Sequence, residues 1–199
     1  ASERVIQVRL VKGAYWDSEI KRCQIQGLAH FPVFTQKAHT DLSYLCCAEL
    51  MLRNAHCIYP QFATHNAHTY AAVQHMATAL NMHNFEMQCL HGMGEGLYQQ
   101  CRIYAPVGTH QTLLPYLVRR LLENGANTSF VNQIVDPNVD VNELVEHPVL
   151  ALRKHGIEAN PACTPAPHLF GVSRLNSKGL DLYCKRTVRH LHHAVGGGP

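Results

Sequence analysis

No stretch of this chain approaches the ~20 consecutive apolar residues that would span a bilayer, and its N-terminus lacks the basic, apolar and small-residue succession of a signal peptide. The expected location is therefore cytoplasmic. Charge of one sign is scarce too: the net charge is +3, and Lys and Arg are spread out rather than gathered into a stripe that could track phosphates. Nucleic acid is not an expected partner. Among 8 Cys and 15 His there is neither Cys-x-x-Cys nor His-Glu-x-x-His; the tightest histidine spacings are His65-Asn66-Ala67-His68 and the tail cluster His190, His192, His193. No metal site is expected, and the cysteines, without paired spacing and mostly in apolar stretches, read as buried thiols rather than a disulfide framework. No Gly-x-Gly-x-x-Gly follows any predicted strand, and Gly92-x-Gly94-x-Gly96 lacks the acidic partner of a dinucleotide fingerprint.

What is present is an α/β rhythm. The chain is 46% hydrophobic and 16% charged, enough for one globular domain with a sizeable core. Residues 5–11 form a β-branched run that predicts a strand buried on most sides, followed by predicted helices over 17–28 and 40–54. The pattern then repeats: strand 61–65 with helix 67–80, strand 85–90 with a short helix near 95–100, and strand 102–107 with helix 111–124. Such alternation implies parallel strands joined by right-handed crossovers, in an open doubly wound sheet or a closed barrel, and the missing dinucleotide fingerprint favours the barrel. Residues 139–155 allow one more helix, 158–183 are rich in Pro, Asn, Ser and Gly, and the basic, His-rich 184–199 stretch reads as a disordered tail.

Five ordered blocks point to a family. Val8-Arg9-Leu10-Val11-Lys12-Gly13-Ala14-Tyr15-Trp16-Asp17, then Phe62-Ala63-Thr64-His65-Asn66, Gln88-Cys89-Leu90-His91-Gly92-Met93-Gly94, Arg102-Ile103-Tyr104-Ala105-Pro106-Val107-Gly108 and the run from Tyr116 to Gly125 resemble the proline dehydrogenase domain of the bifunctional proline utilisation A family. The block Leu169–Leu182 is similar to the join leading into that family's aldehyde dehydrogenase domain. The resemblance implies a partial (β/α)8 barrel, its last four strand-helix units, holding FAD at the C-terminal ends of the strands. It divides the chain into a half-barrel over 1–136, a trailing helical segment over 137–157, a linker over 158–183 toward an absent aldehyde dehydrogenase domain, and the 184–199 tail. A barrel of this kind needs about 250 residues, so the sheet is expected to leave strand edges uncovered and to need a missing N-terminal half.

The implied activity is oxidation of L-proline to pyrroline-5-carboxylate in catabolism to glutamate, with hydride transfer to flavin N5. Electrons would pass on to ubiquinone or another membrane acceptor, which implies peripheral contact with the inner membrane. Residue by residue, the resemblance puts Arg9 near flavin N5, with Val11, Gly13, Ala14 and Trp16 against the cofactor and Tyr15 in the substrate pocket. Thr35, Lys37, Thr64, His65, Asn66, Gln88 and Phe130 would hold its ribityl, phosphate and adenine parts. Arg119 and Arg120 would bind the proline carboxylate, Glu123 would orient an arginine or touch the cofactor, and Tyr104 and Leu90 would pack on the substrate ring.

The residues by themselves leave other readings open. A guanidinium at position 9, inside an apolar strand, is equally explained by a buried ion pair with a neighbouring strand. In helix 111–124, Leu113, Leu114, Leu117, Val118, Leu121 and Leu122 share one face and Tyr116, Arg119, Arg120 and Glu123 the other, and periodicity alone makes the second an ordinary solvated face. Two departures from the family stand out. Gln36 occupies a position that is usually basic, and Leu97 to Arg102 runs almost directly from helix to strand where the family has about a dozen more residues. The alternatives to a proline dehydrogenase are a non-catalytic remnant of that family and a His/Cys metal-binding protein.

Overall fold

A computed structural model describes residues 4–13, 15–125 and 130–196, without the side chains of Glu95, Glu123, Asn124 and Val131. In chain order the elements are β1 (Ile6–Val11), α1 (Trp16–Ile25), α2 (Lys37–Arg53), β2 (Ile58–Ala63), α3 (Ala67–Ala79), β3 (Glu86–Leu90), a 3-10 turn (Glu95–Leu97) and β4 (Arg102–Tyr104). They continue with α4 (His110–Gly125), α5 (Phe130–Gln133), α6 (Val141–Leu144), α7 (Pro148–His155), a second 3-10 turn (Ala166–His168) and α8 (Lys185–Gly196). These elements belong to two units, residues 1–14 with 38–157 and residues 15–37 with 158–199.

The first unit holds a parallel sheet in the order β1-β2-β3-β4, each strand beside its predecessor. Alternation gives the sheet two faces. Val8 and Leu10 of β1, Phe62 of β2 and Met87 of β3 point to one of them, where α2 and α3 close the core with Tyr44, Ala48, Met51, Leu52, Val73 and Ala77. Phe62 is fully buried and meets Phe85 edge to face at 5.8 Å. α3 starts where it does because the Asn66 side chain caps it, accepting from the Thr69 amide at 2.9 Å. β1 is more open than its composition suggests: Ile6, Gln7, Arg9 and Val11 are exposed, since among the described residues β1 has a strand on one side only and, of the three side chains that alternation puts on the core face, Val8 and Leu10 alone pack against the core.

The shortened connection before β4 has a geometric solution. Parallel strands ordinarily need a crossover of a dozen or more residues to climb back down the sheet. Here Gln88 pairs with Arg102 and Leu90 with Tyr104, so β4 begins level with the upper part of β3 and the chain descends by only two residues. The helix expected near 95–100 shrinks to the 3-10 turn, and Ile103 stays half exposed on the face that a longer crossover helix would cover. In this connection Tyr98 packs edge to face on Tyr70 at 5.2 Å, and its buried hydroxyl has no hydrogen-bond partner among the described residues. Burial, with the Cys89 thiol next in effect, pushes its pKa upward. Tyr98→Phe removes an unmet polar group and is expected to raise stability by about 1 kcal/mol, read as a higher denaturation midpoint.

In the second unit, the segment expected to be a linker is tied to α1. Gln24 donates to the Thr164 carbonyl at 2.9 Å, the Gly179 amide to the Gly27 carbonyl at 2.8 Å, and Ala166 is buried, as are Ile20 and Cys23 of α1. Gly179 must be glycine, because a Cβ there would lie 2.1 Å from the Gln26 carbonyl oxygen. The tail is a correction: residues 185–196 form α8 rather than a disordered stretch. Its apolar residues Val188, Leu191 and Val195 recur at helical spacing, which its basic, His-rich composition conceals. The cysteine reading is corrected as well, since Cys46, Cys47 and Cys57 are exposed and only Cys23 and Cys89 are buried.

Candidate active site

The other face of the sheet is polar, which is unusual for parallel strands. Gln7 and Arg9 of β1, Tyr59 and Gln61 of β2, Glu86 and Gln88 of β3, and Arg102 and Tyr104 of β4 share it by alternation and register. Glu86 is the hub. One carboxylate oxygen accepts from Gln61 at 2.9 Å, Gln88 at 2.7 Å and Arg102 Nε at 2.7 Å; the other accepts from Arg102 Nη2 at 2.7 Å and Tyr59 at 3.4 Å. The Arg102 hydrogen bonds, helped by those from Gln88 and Gln61, outweigh burial and hold the Glu86 carboxyl below its ordinary range. Its contribution to stability is therefore complete above that range and is lost as pH falls through the lowered value.

From this hub the network reaches Arg9. Gln88 turns its carbonyl oxygen to Arg9 Nε at 2.7 Å, and the Arg9 guanidinium lies 4.8 Å from the centre of the Tyr104 ring. On a flat sheet β1 and β4 are three spacings apart, roughly 14 Å, so this contact requires the sheet to curl toward its polar face, as a barrel wall does. Of the two sequence explanations for Arg9, the buried ion pair is not what forms. The guanidinium is exposed, the acceptor of its Nε is the amide of Gln88 on β3, two strands away, and the carboxylate is occupied by Arg102.

Other predicted site residues lie at the C-terminal ends of the strands. Leu90 is buried beside Tyr104 in register. His65 Nε2 accepts from the Leu90 amide at 3.4 Å, and Gly94, at φ +66°, presses against the imidazole so that a Cβ there would sit 3.4 Å from its Cδ2. Thr64 accepts from the Asn66 amide at 3.1 Å, so Thr64 and Asn66 also build the start of α3. Val11 is exposed, a Cβ on Gly13 would meet nothing within 4 Å, and Phe130 opens α5, half-buried. Lys12, next to these, bridges Asp41 at 2.5 Å and Thr69 at 3.2 Å.

Helix α4 has its faces reversed from the ordinary expectation. Leu114, Leu117, Val118, Leu121 and Leu122 are exposed, whereas Tyr116, Arg119 and Arg120 are half-buried. Arg120 stacks on Tyr116 at 4.6 Å and its Nε is buried. The arginine face is thus not the solvated one. In the second unit, Tyr15 and Trp16 are exposed, with Trp16 Nε1 donating to the Phe34 carbonyl at 2.8 Å. Thr35 accepts from the Asn160 amide at 2.8 Å, and Gln36 donates to the Glu158 carbonyl; Lys37 begins α2. Ala14 lies outside the described residues, as does the side chain of Glu123. Sequence reasoning missed Glu86, Arg102, Gln61 and Tyr59, although the period-two recurrence of polar residues in all four strands was a usable signal.

Comparison with known proteins accounts for this polar, curved wall. The family model described as proline dehydrogenase matches residues 1–133. The chain belongs to the proline dehydrogenase family. It is 53% identical to the bifunctional protein PutA of Salmonella typhimurium over 215 residues, covering 98% of this chain and 16% of that protein. Against the Rhizobium meliloti PutA it is 53% identical over 212 residues, covering 98% of this chain and 17% of that protein. A crystal structure of a bifunctional proline utilization A protein superposes with a TM-score of 0.86 at 47% identity, over 98% of this chain and 21% of that one. The chain thus spans about a sixth of the length of these bifunctional relatives. The four strands are a sector of the proline dehydrogenase barrel. The Salmonella match runs over 215 positions against 199 residues here, so that relative carries residues this chain lacks. Among the described residues no helix is long and apolar enough to cross a membrane, and no three His, Cys, Asp or Glu side chains converge as metal ligands would.

Proposed function

We propose that this chain supplies the C-terminal wall of a flavin-dependent proline dehydrogenase, which oxidises L-proline to pyrroline-5-carboxylate. The observation that carries the reading is the cluster of Arg9, Gln88 and Tyr104 on the polar face, at the strand ends where barrel enzymes keep their chemistry. Among the described residues Arg9 makes its hydrogen bond through Nε alone, so both terminal nitrogens of its fork remain for an acceptor. That donor set fits an isoalloxazine edge. FAD, when bound, supplies the hydride acceptor at N5.

The chain's own groups do the placing. Arg9 and Gln88 would present hydrogen bonds at the flavin and Val11 and Gly13 would leave room for it, while Ala14 and Trp16 are assigned to the cofactor by the family resemblance alone. Thr64, His65, Asn66 and Phe130 would serve the ribityl, phosphate and adenine parts, and the family resemblance alone adds Thr35, Lys37 and Glu123 to the set. Arg119 and Arg120 would hold the proline carboxylate as guanidinium forks, and Tyr104 and Leu90 would confine the ring, the role that the family resemblance also gives Tyr15. The remaining barrel strands, an aldehyde dehydrogenase domain and a membrane quinone are the implied partners, with residues 158–183 leading toward that domain. Activity of the chain alone is not part of this reading, because the edges of its sheet lack neighbours among the described residues.

Co-expression with the remaining barrel strands of the Salmonella relative tests the proposal. The purified complex is expected to carry a flavin absorbance that bleaches anaerobically on addition of L-proline. A well-folded complex without flavin would leave a non-catalytic member of the family, a reading that the uncovered β4 and its short connection would then favour.

A further inference from the structure

Arg102, Glu86, Gln88 and Arg9 form a chain of contacts in which each link fixes the next. An amide can be turned either way round, and only its neighbours decide which end is the acceptor. Gln88 is buried, with Nε2 donating to Glu86 at 2.7 Å and Oε1 accepting from Arg9 at 2.7 Å. Every side-chain partner of Glu86 is a donor: Gln61, Gln88, Tyr59 and both nitrogens of the Arg102 fork. The carboxylate, saturated by donors, therefore forces Gln88 to face it with its amino end and so leaves its carbonyl for Arg9.

We infer that Glu86 is a positioning residue, which acts through Gln88 to hold the Arg9 guanidinium in one orientation at the flavin edge. The inference rests on the flavin reading of Arg9. A neutral amide at position 86 would set an NH2 against one of these donors, and relief comes from turning Gln88 over, which removes the acceptor from Arg9. Arg102 is the counter-ion that keeps the carboxylate charged, and Tyr104, under the guanidinium, limits how far Arg9 can swing.

A double-mutant cycle on the flavin redox equilibrium of the reconstituted barrel tests this. At a fixed applied potential, Glu86→Gln is expected to change the ratio of oxidised to reduced flavin at least about tenfold, the size of a lost charged hydrogen bond. In an Arg9→Met background the same substitution is expected to change it by less than about twofold, because the residue acted upon is gone. Glu49→Gln, the same carboxylate-to-amide change at an exposed ion pair with Arg53 on α2, away from Glu86, Gln88 and Arg9, is expected to leave the ratio at its wild-type value. Equal effects of Glu86→Gln in both backgrounds, or a Glu49→Gln effect matching it, would overturn the inference and leave the flavin reading standing. Wild-type protein without flavin would overturn both. Should Glu86→Gln fail to fold, Glu86→Asp, which keeps the charge but withdraws it from Gln88, answers in the same cycle.

Discussion

Replacing Phe62 with alanine is expected to destabilise the protein by about 3–5 kcal/mol, a large part of the 5–15 kcal/mol that holds a typical domain together. The side chain is fully buried where β2 meets α2 and α3, alongside Leu52, Ala48 and Val73, and its ring sits edge to face on Phe85. Deleting it loses the transfer free energy and leaves a void that the strand cannot fill without moving. β2 carries Gln61 on its opposite face, so such a shift would also loosen the Gln61 hydrogen bond to Glu86 and the polar wall behind it. Chemical denaturation of the reconstituted barrel should show a midpoint far below wild type, with flavin content falling in parallel. Ile25→Ala, at a side chain 85% exposed, is expected to stay within about 0.5 kcal/mol. Similar costs for both would mean that the core is not where burial places it.

The succession of strands and helices was readable because parallel strands and their crossovers have different periods, and the predicted segments correspond to β1 through α4. Boundaries were lost where local chemistry misled. β2 begins at Ile58 rather than 61, and so takes in Pro60, a residue that sheet interiors rarely hold. The proline is tolerated because β2 pairs only with β1 at that level, its pairing with β3 starting at Gln61. The predicted strand 102–107 stops at Tyr104, where its partner Leu90 ends. Site residues were legible through the family blocks, but their mutual support was not. Nothing local in Glu86 or Arg102 says that they meet, or that the amide of Gln88 takes its direction from them. That information lies in register, which a single strand does not carry. The reversed faces of α4 were hidden for a related reason: amphipathicity reveals two faces but not which of them the tertiary fold turns inward.

Those reversed faces set the largest effect expected on activity. Arg119→Met and Arg120→Met should each lower kcat/KM for L-proline in the reconstituted barrel by about thirtyfold to a few thousandfold, the cost of removing one partner of a shielded charged pair. A solvated arginine face would make both substitutions nearly silent, within about twofold. The half-burial of both residues and the stacking of Arg120 on Tyr116 argue for the larger figure, since a preorganised guanidinium loses little freedom on gripping a carboxylate. Pyrrolidine separates carboxylate binding from general damage: it offers the same ring carbon next to nitrogen without the acid group. The preference for proline over pyrrolidine should therefore collapse in the variants, while flavin content and the slow oxidation of pyrrolidine stay near wild type. Equal losses on both substrates would place the arginines in the architecture of α4 rather than on the substrate. Lysine at either position should recover only part of the loss, because one ammonium restores the charge but not the two-pronged geometry that a planar carboxylate accepts.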